Sequence, residues 1–135
     1  MLIVVPVTAL YAGLYALLLL VLAARISRQR MTFKVGLGDG GHPPLVRAVR
    51  VHGNAVEWML PMLVLLLIAE LNHASHLFLH ACGIVFLAAR IAHAVGLSRN
   101  SGESGGRFAG TSVSWLVIGV LAVWDIVDFA RTLLV

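Results

Sequence analysis

From Leu2 to Ala24 the chain carries no charged residue, and then it meets Arg25, Arg28 and Arg30 in quick succession. A bilayer-crossing helix needs about 20 mainly apolar residues, so this stretch is predicted as a first membrane-spanning helix. Its positive charge follows the apolar core, and that core is longer than a cleaved signal's, so the segment is expected to stay in the mature protein. Three more apolar stretches follow, from about Leu45 to Glu70, from about His76 to Leu97 and from about Phe108 to Leu133. Between them lie GLGDGGHPP from Gly36 to Pro44, a short turn near Asn72 to Ser75, and SRNSGESGGR from Ser98 to Arg107. Backbone in such breaker-rich segments has to lie outside the hydrocarbon. Pro61, inside the second stretch, is a kink of the kind membrane helices tolerate.

Four spans with short links use up the 135 residues. The expected fold is therefore all-α, an integral membrane four-helix bundle forming a single domain over residues 1–135. Composition agrees, because 60% hydrophobic and 12% charged residues leave too little polar surface for a soluble domain. The net charge of +4 raises nucleic acid as a partner, but the arginines flank apolar spans and no basic, aromatic surface segment exists, so no nucleic-acid partner is expected. Gly36, Gly38 and Gly41 match G-x-G-x-x-G without the preceding strand that a dinucleotide site needs. Cys82, the one cysteine, can form neither an intrachain disulfide nor a cysteine zinc cluster, and no metal site is assigned.

Arg25, Arg28, Arg30, Lys34, Arg47, Arg99 and Arg107 all fall at the end of the bundle that holds the first and third loops. The positive-inside rule then makes those loops cytoplasmic and puts both termini on the opposite side. Within the spans, Arg50, Asn54 and Glu57 follow at i, i+4 and i+7 and so share one helix face, while His52 lies on another. A charge inside a span costs about 2.5–3.5 kcal/mol on insertion scales, so this face should point into protein. The third helix runs the other way and brings Arg90 and His93 to the same depth. Arg28 leaves the first helix there and Arg107 enters the fourth, which makes a cationic cluster with Glu57 as its one acid. Arginine forks grip carboxylates and a carboxylate receives an amine, so a small polyanion with one ammonium, such as glutathione, suits the cluster. Mutual neutralisation of Arg50 and Glu57 between helices is the bland alternative. His73, His76 and His80, at i, i+3 and i+7, could bind metal or haem, although interfacial histidines are ordinary. Asp125, Asp128 and Arg131 are expected to anchor the last helix at the interface.

The string RVHGNAVEWMLP from Arg50 to Pro61 resembles the second-helix signature of the MAPEG superfamily, the membrane-associated proteins of eicosanoid and glutathione metabolism, and ARIAHAVG from Ala89 to Gly96 resembles its third-helix R-x-x-H. The resemblance covers nearly the whole chain and is strongest to the small bacterial inner-membrane branch. It implies a homotrimer in the cell inner membrane, with glutathione as co-substrate between subunits near the cytoplasmic face and a lipophilic small-molecule substrate arriving from the bilayer. It also implies that Arg28, Asn54, Glu57 and His93 contact glutathione, that Arg50 and His52 complete the signature, and that Arg107 stands near the sulfur. Arg90 joins the binding set as the arginine of R-x-x-H. Gly53 stands where several eukaryotic members have arginine, and Leu97 and Thr111 stand where they have tyrosine. Arg107, or a hydroxyl of Thr111 or Ser112, would then have to stabilise the thiolate. Two readings stay open: a glutathione-dependent transferase or peroxidase, and a non-catalytic lipid-binding or scaffold protein on the same fold.

Overall fold

Proline at the first helical position lacks only an N–H that would be unpaired anyway, and Pro6 and Pro43 each open a helix in this way. The computed structural model describes residues 4–99 and 105–134. Four helices follow in order, α1 (Pro6–Phe33), α2 (Pro43–Leu71), α3 (His76–Arg99) and α4 (Gly105–Thr132). Each is long and apolar enough to cross a membrane, and the described residues contain no strand. The expected start of the first helix at Leu2 and the centre of the expected third loop, residues 100–104, lie outside the described residues.

At the end that holds the first and third loops, the helices outrun the apolar stretches that predict them. α1 continues past Ala24 to Phe33, because arginine, glutamine and methionine favour helix as well as leucine does. Arg25, Arg28 and Arg30 are therefore helical side chains and not the start of the loop. The helix stops at Lys34, which adopts a left-handed φ of 55° and donates back to the carbonyls of Arg30 and Met31. In the loop, Gly40 has φ +57°, and a β-carbon there would stand 2.8 Å from Val35 Cγ2. The loop closes where the His42 ring stacks on Phe33 with centroids 4.2 Å apart. α2 runs unbroken through Pro61.

α3 and α4 pack most extensively, followed by α1 against α2, while α1 and α4 share no direct packing among the described residues. Close approach depends on small residues. A β-carbon on Gly83 would overlap the Tyr11 ring, and one on Gly110 would stand 2.6 Å from the Ala89 carbonyl oxygen and 2.8 Å from His93 Cβ. Tyr11 and Tyr15 cross from α1 to α3, where their hydroxyls donate to the carbonyls of His80 at 3.1 Å and Gly83 at 3.2 Å. At the end away from the first and third loops, Glu70 of α2 accepts the backbone N–H of Val7 at 2.8 Å and of Thr8 at 2.7 Å. Val5 offers α1 no side-chain cap, so the carboxylate satisfies two of its free amides from across the bundle and complements the positive end of its dipole.

Candidate anion-binding site

Three helices deliver polar side chains to the end of the bundle that holds the first and third loops. Arg47, Arg50 and Asn54 of α2, His93 and Leu97 of α3 and Arg107 of α4 line a pocket of about 300 Å³ together with Val46. Arg47, Arg50 and Asn54 sit at i, i+3 and i+7, on successive turns of one face of α2. α4 can present Arg107 here because Gly110, one turn on, lets its backbone reach α3. At the same end α1 is tied to α3 by the hydrogen bond from Arg25 to Ser98.

Arg90 lies behind this pocket and is only 2% exposed. Its Nη1 donates to Asn54 Oδ1 at 2.9 Å and its Nη2 to the Gly110 carbonyl at 2.9 Å. The guanidinium also rests 5.8 Å from the centre of the Phe86 ring. The Gly110 carbonyl takes a second bond from Ser114 Oγ at 2.6 Å. One buried arginine thus joins α2, α3 and α4. The charge is met by neutral acceptors, an arrangement tolerated in a span when the group faces protein.

Of the residues expected at the site, Arg50, Asn54, His93 and Arg107 share the pocket. Arg28 is exposed near the end of α1, where its carbonyl accepts the Thr32 hydroxyl. His52 is half-buried and Glu57 exposed on the single chain, and neither lines the pocket. Thr111 and Ser112 do not line it either, whereas Leu97 does. Arg47, a loop-side charge by its position in the sequence, belongs to the site as well, and its i, i+7 spacing to Asn54 is the signal that identifies it. Glu70 left no such signal, because its partners are backbone amides more than 60 residues away.

The outer polar groups serve elsewhere. His80 Nδ1 is 3.2 Å from the Tyr11 hydroxyl, and no three His, Cys, Asp or Glu side chains converge as metal ligands among the described residues. Asp125, expected as an interfacial anchor, has both carboxylate oxygens covered and without a hydrogen-bond partner.

Of the signature residues, Arg50, Asn54 and His93 line one pocket and Arg90 lies in the polar contacts beneath it, while His52 and Glu57 stand outside both. The MAPEG family model matches residues 8–127, which takes in all of these residues. The chain is also 41% identical over 132 residues to the inner membrane protein YecN of Escherichia coli strain K12, a match covering 93% of this chain and 99% of that protein. YecN of E. coli O6:H1 strain CFT073 matches to the same extent. With the family match extending from α1 into α4 and a full-length inner-membrane relative beside it, the chain belongs to the MAPEG family.

Proposed function

We propose that this protein is a glutathione-dependent transferase or peroxidase of an inner membrane, acting as a homotrimer on lipophilic electrophiles or hydroperoxides. The observation that carries the reading is the convergence of the Arg47, Arg50 and Arg107 side chains with Asn54 and His93 on one pocket. Guanidinium groups grip carboxylates in pairs of parallel hydrogen bonds, and glutathione offers two carboxylates. At about 300 Å³ the pocket is at the small end of ligand sites, which run from roughly 300 to 1,000 Å³, and it suits one end of a tripeptide. Arg107 is assigned to the sulfur. A cation there stabilises the thiolate, which attacks an electrophilic carbon and expels its leaving group, or attacks a peroxide oxygen, breaking the O–O bond to release the alcohol and leave glutathione sulfenic acid, which a second glutathione converts to the disulfide and water.

Assembly with a neighbouring subunit is supported by Glu57, and the number three is what the family resemblance implies. On the single chain it is exposed in the middle of α2, and a carboxylate facing lipid at such a depth costs about 2.5–3.5 kcal/mol. Burial against a neighbouring subunit removes that cost and lets Glu57 receive the ligand's ammonium. The arginine-rich end of the bundle is assigned to the cytoplasm, with both termini opposite, by the positive-inside rule. One observation favours the second reading, a non-catalytic lipid-binding or scaffold protein. Leu97 lines the pocket with an apolar side chain, where a hydroxyl would assist thiolate chemistry.

Calorimetric titration of glutathione into the detergent-solubilised protein, beside S-hexylglutathione and a scrambled anionic peptide, separates the two. The enzyme reading expects specific binding, weakened by Glu57→Gln in an intact oligomer, and turnover of an aryl halide or lipid hydroperoxide that falls about 10²–10³-fold in Arg107→Ala. Absence of binding across the millimolar range with the oligomer intact favours the lipid-binding reading.

A further inference from the structure

Arg90 has the chemistry of a ligand-gripping residue but not its location. It is 2% exposed, it does not line the pocket, and two of its nitrogens are already committed to Asn54 Oδ1 and to the Gly110 carbonyl. Arginine carries only donors, so the side of the Asn54 amide that faces it must be the oxygen. With Oδ1 turned toward Arg90, behind the pocket, the N–H2 on the other side of the amide is what Asn54 turns toward the guanidinium groups of Arg47, Arg50 and Arg107. Among the described lining residues, His93 is then the polar side chain placed to supply an acceptor.

We infer that Arg90 is a positioning residue that turns the Asn54 amide so that its N–H2 faces the pocket, making this pocket a donor-lined receptor for the anionic end of the ligand and not for its ammonium. The inference rests on the proposed ligand site and adds which part of the ligand this chain binds by itself. Three features of the structure bear on it. The Arg90 guanidinium is fixed at two points, on α2 through Asn54 and on α4 through Gly110, so the amide it holds cannot rotate without breaking a part-buried bond to a buried arginine. Arg90 Nε is buried without a partner, so the whole group is held by these two acceptors. Glu57, the acid suited to an ammonium, lies outside the pocket on the single chain. Any carboxylate, phosphate or sulfate group of fitting size meets the same donors.

The test is a double-substitution cycle on the full-length protein in detergent. Glutathione and, separately, sulfate are titrated into the unsubstituted protein, Arg90→Met, Arg90→Lys, Asn54→Ala and Arg90→Met with Asn54→Ala, with oligomeric state checked for each. Arg90→Met is expected to weaken both anions by roughly tenfold, the value of one hydrogen bond from a charged or oriented donor. Arg90→Lys, which keeps a donor against Asn54 Oδ1, is expected to restore most of the affinity. In the Asn54→Ala background, Arg90→Met is expected to cost the ligand little more. An equal loss in both backgrounds overturns the inference, since Arg90 would then act on the ligand directly or by loosening the bundle. Unchanged affinity in a folded Arg90→Met protein, or binding of neither anion by the unsubstituted protein, overturns it as well. Should Arg90→Met fail to assemble, Arg90→Gln with and without Asn54→Ala completes the cycle. Binding of sulfate without glutathione rejects the glutathione reading and leaves the positioning role to be decided by the sulfate data.

Discussion

Glu70, one residue from the end of α2, holds the backbone N–H of Thr8 at 2.7 Å, while its other oxygen takes that of Val7. Glu70→Gln keeps one acceptor and turns an amide N–H2 toward the second N–H. The expected loss is about 1–3 kcal/mol of stability, read as a lower midpoint of unfolding in mixed detergent. Ligand affinity should not move, because the pocket is at the other end of the bundle. An unchanged midpoint would mean that solvent or lipid headgroups satisfy α1 without the carboxylate.

Gly110 and Gly119 both lie on α4, but only the first meets a neighbour. A β-carbon on Gly110 would press on the Ala89 carbonyl and on His93, whereas one on Gly119 would meet nothing within 4 Å. Gly110→Ala is expected to destabilise the protein by about 1–3 kcal/mol and to weaken anion binding, since it displaces the carbonyl that holds Arg90. Gly119→Ala is expected to leave both unchanged. Equal behaviour of the two variants would contradict the close α3–α4 approach.

Arg47, Arg50 and Arg107 are half-buried or exposed on the single chain, so salt should screen them. Between 0.1 M and 1 M salt the screening length falls from about 10 Å to about 3 Å. Glutathione affinity is expected to drop several-fold over that range. Arg47→Gln should lower affinity by about tenfold at low salt and flatten the salt dependence, both measurable by calorimetry. A salt dependence as steep as that of the unsubstituted protein would remove Arg47 from the site.

The orientation assigned to the bundle makes the loop between α1 and α2 cytoplasmic. In a Cys82→Ala background, Asp39→Cys places a thiol in that exposed loop. A membrane-impermeant maleimide should label it only after the membrane is permeabilised. Labelling of intact spheroplasts would reverse the orientation.

Number, order and approximate length of the spans were legible in the residues alone, because crossing hydrocarbon is a local demand that each stretch meets or fails by itself. Helix ends were less so. The run from Arg25 to Arg30 is polar enough to leave the hydrocarbon, yet it propagates helix well, and α1 reaches Phe33. Spacing likewise grouped Arg50 with Asn54 on α2 and Arg90 with His93 on α3, since a 3.6-residue period fixes which side chains share a face. It could not say what each face meets. Rotation and approach of the helices, set by small residues such as Gly83 and Gly110, decided that Arg47 joins the pocket, that Glu57 stays outside it on the single chain, and that Arg90 turns inward to Asn54 and Gly110. A hydrogen bond needs its partners within about 3 Å. Local sequence sets that distance only within a helix; between helices it comes from packing.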